Sequence, residues 1–129
     1  MDKRTRHATY NINYHLVWCP KFRRPVLAGA VGKRLDALLR EIVAALDGEI
    51  AELVVQPDHV HLFASFPPDL AISQIVHRLK GASAHRLRQE FPYLRSRLPS
   101  LWTRSYYVGT AGQVSATTIQ RYIDAQKGR

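Results

Sequence analysis

A hairpin near the middle of the chain restricts the fold more than any other sequence feature. Residues 50–56 (IAELVVQ) and 59–66 (HVHLFASF) are rich in β-branched and aromatic side chains, and each run predicts a strand. Only Pro57 and Asp58 separate the two runs. Because two-residue connections join antiparallel neighbours, the fold must contain an antiparallel sheet that includes this hairpin.

The segments on either side of the hairpin predict two more strands. Residues 10–19 (YNINYHLVWC) are rich in aromatic and β-branched side chains and precede a basic loop at residues 20–24 (PKFRR). Residues 102–108 (WTRSYYV) have the same character. With the hairpin, the chain therefore has four predicted strands.

Three amphipathic helices complete the predicted order. In the first, apolar residues recur at helical spacing from Leu35 to Leu46, and Asp47-Gly48 closes it with a residue suited to the left-handed cap. The second follows the hairpin and is strongly basic along its later part. The third is expected at about residues 115–127, after a flexible link at about 109–114.

The order of these elements, β-α-β-β-α-β-α, predicts a single α+β domain over residues 1–129. Two split β-α-β units form a ferredoxin-like (RRM-like) antiparallel sheet with helices on one face, followed by the C-terminal helix. Sheets of this kind are common platforms for single-stranded nucleic acid. The fold class by itself does not assign a function.

The charge balance indicates a polyanionic partner. The chain has 19 Lys and Arg residues against 10 Asp and Glu, a formal net charge of +9 that favours nucleic acid. Cys19 is the only cysteine, so no internal disulfide can form and a reducing compartment is expected. The N-terminus lacks the apolar run of a signal peptide, and no stretch is long enough to cross a bilayer. We therefore expect a soluble intracellular protein with no membrane partner.

Two histidines at the start of the second hairpin strand are the first candidates for a functional site. His59 and His61 point the same way, because side chains alternate along a strand. Two imidazoles about 6–7 Å apart along a strand can converge on one metal ion, although exposed or hydrogen-bonded histidines show the same pattern. Position 63 is Phe, so the third alternating histidine of the histidine-triad hydrolases is missing.

The C-terminal helix carries a second pair of candidates. Tyr122 and Gln126, in TIQRYIDAQ, are four residues apart and share one helix face. An aromatic residue on an amphipathic helix, with a solvated Gln beside it, would produce the same spacing. If a metal ion lies elsewhere in the site, Tyr122 is a candidate nucleophile and the amide oxygen of Gln126 a candidate third ligand.

Five segments, in this order, resemble the single-tyrosine HUH transposases, small enzymes that move insertion sequences as single-stranded DNA. The segments are NYHLVWCPKFRRPVL, VVQPDHVHLF, ISQIVHRLKGASAHRLRQEFP, LWTRSYYVGTAG and the Tyr-x-x-x-Gln helix. The resemblance covers nearly the whole chain. It is specific because all five segments occur together at these spacings.

The resemblance implies a chemistry and a set of site residues. His59, His61 and Gln126 would bind a divalent metal, Mg²⁺ or Mn²⁺, and nitrogen ligands favour Mn²⁺. Tyr122 would attack a DNA phosphate at hairpin-marked transposon ends, which leaves a 5′-phosphotyrosine link and a free 3′-OH. The base that deprotonates Tyr122 stays open between a metal-bound hydroxide and Asp58.

The resemblance also implies partners and a location. Family members bind single-stranded DNA hairpins as two-fold homodimers, in which each tyrosine serves the histidines of the other chain. A flexible link would equally allow the tyrosine helix to dock on its own chain. The expected location is the cytoplasm of a bacterium or archaeon, in association with DNA.

Basic residues in two segments are candidates for DNA binding, and aromatic residues interleaved with them could stack on unpaired bases. The candidates are Lys21, Arg23, Arg24, Arg78, Lys80 and Arg86. One alternative function is that of a domesticated relative, which would use the same chemistry on palindromes of its host. Another is a non-catalytic module that binds single-stranded nucleic acid, but it does not explain why both candidate pairs occur in one chain.

Overall fold

A computed structural model describes residues 3–4, 9–10, 12–110 and 116–129 of the chain. Its strands are β1 (Lys3–Arg4), β2 (Thr9–Tyr10), β3 (Asn13–Trp18), β4 (Glu49–Gln56), β5 (His59–Ser65) and β6 (Tyr107–Thr110). Its helices are α1 (Gly29–Ala45), α2 (Ile72–Glu90), α3 (Tyr93–Arg97) and α4 (Ala116–Ala125), and a 3₁₀ turn covers Lys21–Arg23. Among the described residues, no helix has the length and apolar character required to span a membrane.

Four of the strands form one antiparallel sheet in the order β4-β5-β3-β6, and β1 and β2 form a separate small pair. The predicted hairpin is confirmed, since β4 and β5 pair from Gln56 and His59 outward and leave only Pro57 and Asp58 in the turn. This strand order, with helices between the strands, is the ferredoxin-like arrangement. The predicted fold class is therefore confirmed.

The boundaries of the first and fourth predicted strands were wrong. The first strand is shorter and covers only Asn13–Trp18. The fourth is Tyr107–Thr110, because the preceding residues follow an irregular path over α2. The Trp102 side chain holds this path, since its indole N–H lies 3.1 Å from the Lys80 carbonyl oxygen and 3.2 Å from Ser83 Oγ.

One face of the sheet is packed against α1 and α2 and forms the main apolar core. Alternate residues of β3 and β5 point into it, and the helices contribute apolar side chains from the other side. The fully buried members are Leu16, Trp18, Val60, Leu62, Ala64, Leu35, Leu39, Leu79 and Leu87. Burying each large side chain stabilises the fold by about 1.5–3 kcal/mol, so this face supplies most of the stability.

The end of α1 differs in detail from its prediction. Asp47, and not Gly48, adopts the left-handed conformation, with φ +58°. Gly48 is needed for space instead, because a Cβ there would lie 2.8 Å from the Phe66 ring and 2.9 Å from the Ser65 carbonyl oxygen.

The opposite face of the sheet is partly covered by α4. Ile123 of α4 forms a small buried cluster with Val17 and Cys19, whose side chains point away from the main core. The predicted link begins later than expected, because Gly109 and Thr110 belong to β6. Its remainder, residues 111–114, and the first predicted helix residue, Ser115, lie outside the described residues.

Candidate active site

His59 and His61 lie at the start of β5, on the sheet face that α4 partly covers. Val60 and Leu62 alternate with them and point into the main core, so the histidines face away from it. His61 is opposite Val17 of β3 in the strand register, and Val17 lies beneath α4. The two histidines therefore share one face, as the alternation along the strand predicted, and the structure places α4 on that face as well.

Asp58 fixes the orientation of His59. Its Oδ1 atom lies 2.9 Å from Nδ1 of His59, and its Oδ2 atom lies 3.3 Å from Nε of Arg23. A carboxylate on Nδ1 leaves Nε2 of the same ring available for a metal ion, which is the usual environment of a metal-binding histidine. Since both Asp58 oxygens have partners, this carboxylate orients His59, and the alternative that it deprotonates Tyr122 gains no support.

His61 has a partner that the sequence did not reveal. Nδ1 of His15, on β3, lies 3.2 Å from Nε2 of His61, and the His15 ring stacks on Phe63 with centroids 4.2 Å apart. Burial lowers the pKa of His61, and the neighbouring His15 lowers it further, which favours the neutral imidazole that metals bind. The alternation of β3 could have assigned His15 to this face, but its pairing with His61 depends on the strand register.

Tyr122, on α4, and Gln126, directly after it, both contact Ser105, which precedes β6. Ser105 Oγ lies 2.8 Å from Oε1 of Gln126 and 2.9 Å from the Tyr122 hydroxyl. A hydroxyl has one proton, so Ser105 donates to the Gln126 amide oxygen, and the Tyr122 hydroxyl donates to Ser105. Nε2 of Gln126 also donates to the Tyr122 carbonyl oxygen at 3.1 Å. Gln126 is buried, with 4% of its surface exposed, and is therefore not a solvated residue.

Tyr122 is neutral in this arrangement. Burial raises the pKa of its hydroxyl. The phenol is therefore fully protonated near pH 7 and needs activation before it can act as a nucleophile. The Tyr107 ring, with its centroid 6.2 Å away, packs beside it.

Lys80, on α2, holds the turn that contains Ser105. Its ammonium group donates to the carbonyl oxygens of Thr103, at 2.6 Å, and of Ser105, at 3.0 Å. Burial lowers the pKa of Lys80 to about 8. The sequence indicated Lys80 as a DNA contact, whereas in the structure it holds the segment that bonds to Tyr122 and Gln126.

The other basic candidates differ in their exposure and in the side-chain contacts that they make within the chain. Arg78 and Arg24 are exposed. The Lys21 ammonium and the Arg24 guanidinium lie 5.3 and 6.0 Å from the centroid of Phe22, which is itself exposed. Arg86 lies 3.4 Å from a Glu90 oxygen. Arg23, in contrast, contacts both Asp58 and α4.

The donor set fits a divalent ion with an amide as the third protein ligand. In the described part of the chain, no group of three or more His, Cys, Asp or Glu side chains could hold a metal ion. His59 and His61 supply two nitrogen ligands on one strand face, so a third protein ligand has to be another type of group. The Gln126 amide oxygen, brought to the same face by α4, is suitable, and it would have to exchange its Ser105 bond for the metal.

Comparison with known proteins decides the family. Residues 8–126 match the family described as Transposase IS200 like. The chain belongs to this family. It is 41% identical over 126 residues to the ISDra2 transposase TnpA of Deinococcus radiodurans, covering 96% of this chain and 90% of that one. It is 32% identical over 127 residues to the IS200 transposase of Salmonella typhimurium, covering 97% and 83%. The resemblance to the single-tyrosine HUH transposases is thereby confirmed.

Solved structures of similar proteins agree with this assignment. A crystal structure of a Deinococcus radiodurans R1 protein described as a transposase superposes with a TM-score of 0.91 at 37% identity, covering 98% of this chain and 99% of that one. A REP-associated tyrosine transposase, solved with a bound REP hairpin, superposes with a TM-score of 0.60 at 17% identity, covering 96% and 69%. At that identity, the second likeness shows the fold alone.

Proposed function

We propose that this IS200-like transposase cleaves and rejoins single-stranded DNA at hairpin-marked transposon ends through a 5′-phosphotyrosine intermediate on Tyr122. The observation that carries the proposal is the convergence of two residue pairs on one sheet face. His59 and His61 reach this face from β5, Tyr122 reaches it from α4, and Gln126 follows directly after α4. A module that only binds nucleic acid would need neither a buried amide nor a histidine oriented by a carboxylate.

In the proposed site, His59, His61 and Gln126 would hold a divalent ion, Mg²⁺ or Mn²⁺. All three ligands are neutral, so the bound ion supplies its full charge to polarise the scissile phosphate. Asp58 keeps His59 in the tautomer that presents Nε2. Exchange of the Ser105 bond would free the Gln126 oxygen to act as a ligand.

Tyr122 would carry out the covalent step. Its hydroxyl loses a proton, its oxygen forms a bond to the scissile phosphorus, and the bond from phosphorus to the 3′ oxygen breaks. The 3′ oxygen takes up a proton and leaves as a 3′-OH. Ser105 orients the Tyr122 hydroxyl before the attack. Attack by another 3′-OH on the phosphotyrosine reverses the step, so rejoining requires no nucleotide hydrolysis.

We propose hairpins of single-stranded DNA as the substrate, bound by the basic surface. The net charge of +9 supports a polyanionic ligand, and the exposed Arg24 and Arg78 could contact phosphates. The identity to insertion-sequence transposases over most of their length favours a mobile element over a domesticated palindrome-associated relative.

The decisive experiment uses hairpin oligonucleotides labelled at the 5′ or the 3′ end. Tyr122→Phe should keep the fold and the hairpin affinity but abolish both cleavage and the covalent protein–DNA adduct, since only the nucleophile is lost. Tyr93→Phe, at an exposed position on α3, is the matched control and should cleave normally. Chelation should stop cleavage, and added Mn²⁺ should restore it. An adduct that persists in Tyr122→Phe would disprove the assignment.

A second arm tests the homodimer. In the structure, α4 contacts the sheet of its own chain, and the sequence-based prediction of exchange between two chains stays a prediction. Mixed dimers of Tyr122→Phe and His61→Ala contain one intact site if each tyrosine serves the other chain, and none if it serves its own. Recovered cleavage from two inactive proteins would establish exchange, and verified mixed dimers without activity would exclude it.

A further inference from the structure

A strained basic turn lies between the two halves of the candidate site. Phe22 and Arg23, in the 3₁₀ turn after β3, both have left-handed backbones, with φ +60° and +51°. This conformation costs roughly 1–2 kcal/mol for a residue with a Cβ, so two in succession persist only where surrounding contacts hold them. Lys21 N–H donates to the Leu101 carbonyl oxygen at 2.8 Å, and Phe22 N–H donates to the Arg129 carbonyl oxygen.

The turn directs the Arg23 side chain toward two elements at once. Its Nε lies 3.3 Å from Oδ2 of Asp58, in the turn that precedes β5. Its Nη1 lies 3.2 Å from the carbonyl oxygen of Ile123 and 3.4 Å from Oδ1 of Asp124, both on α4. A single guanidinium therefore joins the hairpin turn to the helix that carries Tyr122.

The contacts continue without a break into the histidine pair. Asp58 forms an ion pair with Arg23 through one carboxylate oxygen and contacts His59 Nδ1 through the other. Ile123, whose carbonyl oxygen accepts from Arg23, is also the residue that buries α4 against Val17. The docked α4 and the carboxylate that contacts His59 therefore share one partner, the Arg23 side chain.

We propose that Arg23 is a positioning residue that couples the docking of α4 on the sheet to the metal-binding orientation of His59. Docked α4 fixes the guanidinium, which fixes the Asp58 carboxylate, which in turn holds His59 with Nε2 free. The inference rests on the proposed function, because it takes His59 as a metal ligand. It gives Arg23 a role inside the protein in place of a phosphate contact.

The geometry requires arginine rather than any cation. The guanidinium presents several N–H groups in a rigid planar fork, so it can serve Asp58 and α4 together. A lysine ammonium is a point charge on a flexible stem and would satisfy one side at a time. Since coupling between two sites is reciprocal, metal binding should also tighten the docking of α4.

The chain contains its own probe of α4 docking. Cys19 is the only cysteine, is fully buried, and lies in the cluster with Val17 and Ile123. Burial, with a smaller effect of Asp58, raises the pKa of its thiol to about 12. Because Ile123 of α4 packs in the same cluster as Cys19, a reagent can reach this buried thiol only when α4 leaves the sheet, and it then reacts with the thiolate. The labelling rate at one position therefore reports the undocked fraction.

The experiment compares Arg23→Gln, Arg23→Lys and a control, Arg40→Gln, which removes the same charge from an exposed ion pair with Asp36. Iodoacetamide labelling of Cys19 is measured with and without Mn²⁺, and Mn²⁺ affinity is measured by electron paramagnetic resonance of the free ion. Arg23→Gln should weaken Mn²⁺ binding about 10- to 100-fold, as for other side chains that orient a metal-binding histidine. It should also speed labelling and abolish the protection that Mn²⁺ gives. Arg40→Gln should match the wild type in both measurements.

Each outcome bears on the proposal. Arg23→Lys retains the charge and should still lose the Mn²⁺-dependent protection, so it tests the coupling even if Arg23→Gln fails to fold. Faster labelling with unchanged Mn²⁺ affinity would reduce Arg23 to a structural contact and overturn the coupling. Weaker affinity with unchanged labelling would overturn it as well. Absence of Mn²⁺ binding by the wild type would instead refute the metal site of the proposed function.

Discussion

β3 and β5 place apolar side chains on one face of the sheet and polar side chains on the other. On the helical face, β3 and β5 present Leu16, Trp18 and Leu62, all fully buried against α1 and α2. On the other face, the alternate residues include His15 and His61, which are only partly buried and lie within hydrogen-bond distance of one another. One face stabilises the fold through apolar area, whereas the other holds polar groups in fixed orientations.

The difference teaches where substitutions should act. Apolar burial is not directional, so the face packed against α1 and α2 can accommodate small shifts of its side chains and still stabilise the fold. The other face depends on directional contacts, such as Asp58 with His59 and Ser105 with Gln126. We expect loss of one such contact to lower the free energy of unfolding less than loss of a large core side chain, and to change the geometry of the site more.

The largest expected effect comes from a pair of adjacent substitutions on β5. Leu62→Ala should lower the free energy of unfolding by about 2–5 kcal/mol, because it leaves a cavity in the main core. His61→Ala should cost about 1 kcal/mol in stability, yet should reduce cleavage at least about 100-fold if His61 is a metal ligand. Denaturant titration and the hairpin cleavage assay measure the two effects. If His61→Ala is as destabilising as Leu62→Ala, the division between the faces is wrong.

The sequence was sufficient for the elements whose signals are local. The hairpin at Pro57-Asp58 follows from the two-residue connection between its strands, and the shared face of His59 and His61 follows from strand alternation. The helical spacing of Tyr122 and Gln126 is equally local, and α4 contains the tyrosine as expected. In these places, neighbouring residues determine the structure.

The rest depends on contacts between distant parts of the chain. The contact of His15 with His61 spans 46 positions, and that of Arg23 with Asp124 spans 101. Neither contact has a local sequence signature. The sequence therefore showed no sign of the Asp124 contact, and Arg23 in PKFRR was predicted only as a DNA contact. The fourth strand was predicted too early because Trp102 has high strand propensity but is held by α2.

A medium effect is expected from two cations on α2 that the sequence did not distinguish. Arg78 is exposed, whereas the Lys80 ammonium already donates to two carbonyl oxygens. If hairpin binding releases counterions, Arg78→Gln should reduce the slope of log affinity against log salt by about 1. Lys80→Gln should leave the slope unchanged. Fluorescence anisotropy from low to high salt measures both, and equal slope changes would make Lys80 a phosphate contact after all.

The smallest expected effect concerns Lys80. This residue lies where the two faces meet, because it connects α2 to the turn at Ser105, whose hydroxyl contacts Tyr122. Burial lowers its folded-state pKa to about 8, against 10.5 in the unfolded chain. Above pH 8 the unfolded state therefore binds more protons than the folded state, so this group's contribution to stability rises with pH. The free energy of unfolding of the wild type, minus that of Lys80→Met, should increase from pH 7.5 to 9.

The upper limit of that pH range is set by Cys19. Its thiol has a pKa of about 12 in the folded state and 9.0 in the unfolded chain, so its contribution to stability falls as pH rises above 9. The two groups act in opposite directions and influence each other's pKa, so a comparison that ends at pH 9 keeps the lysine dominant in the Lys80→Met difference. A difference that stays flat from pH 7.5 to 9 would mean that Lys80 keeps its proton in the folded state. In that case the two carbonyl oxygens would stabilise the charged ammonium, and Lys80 would hold the turn at Ser105 as a cation from pH 7.5 to 9.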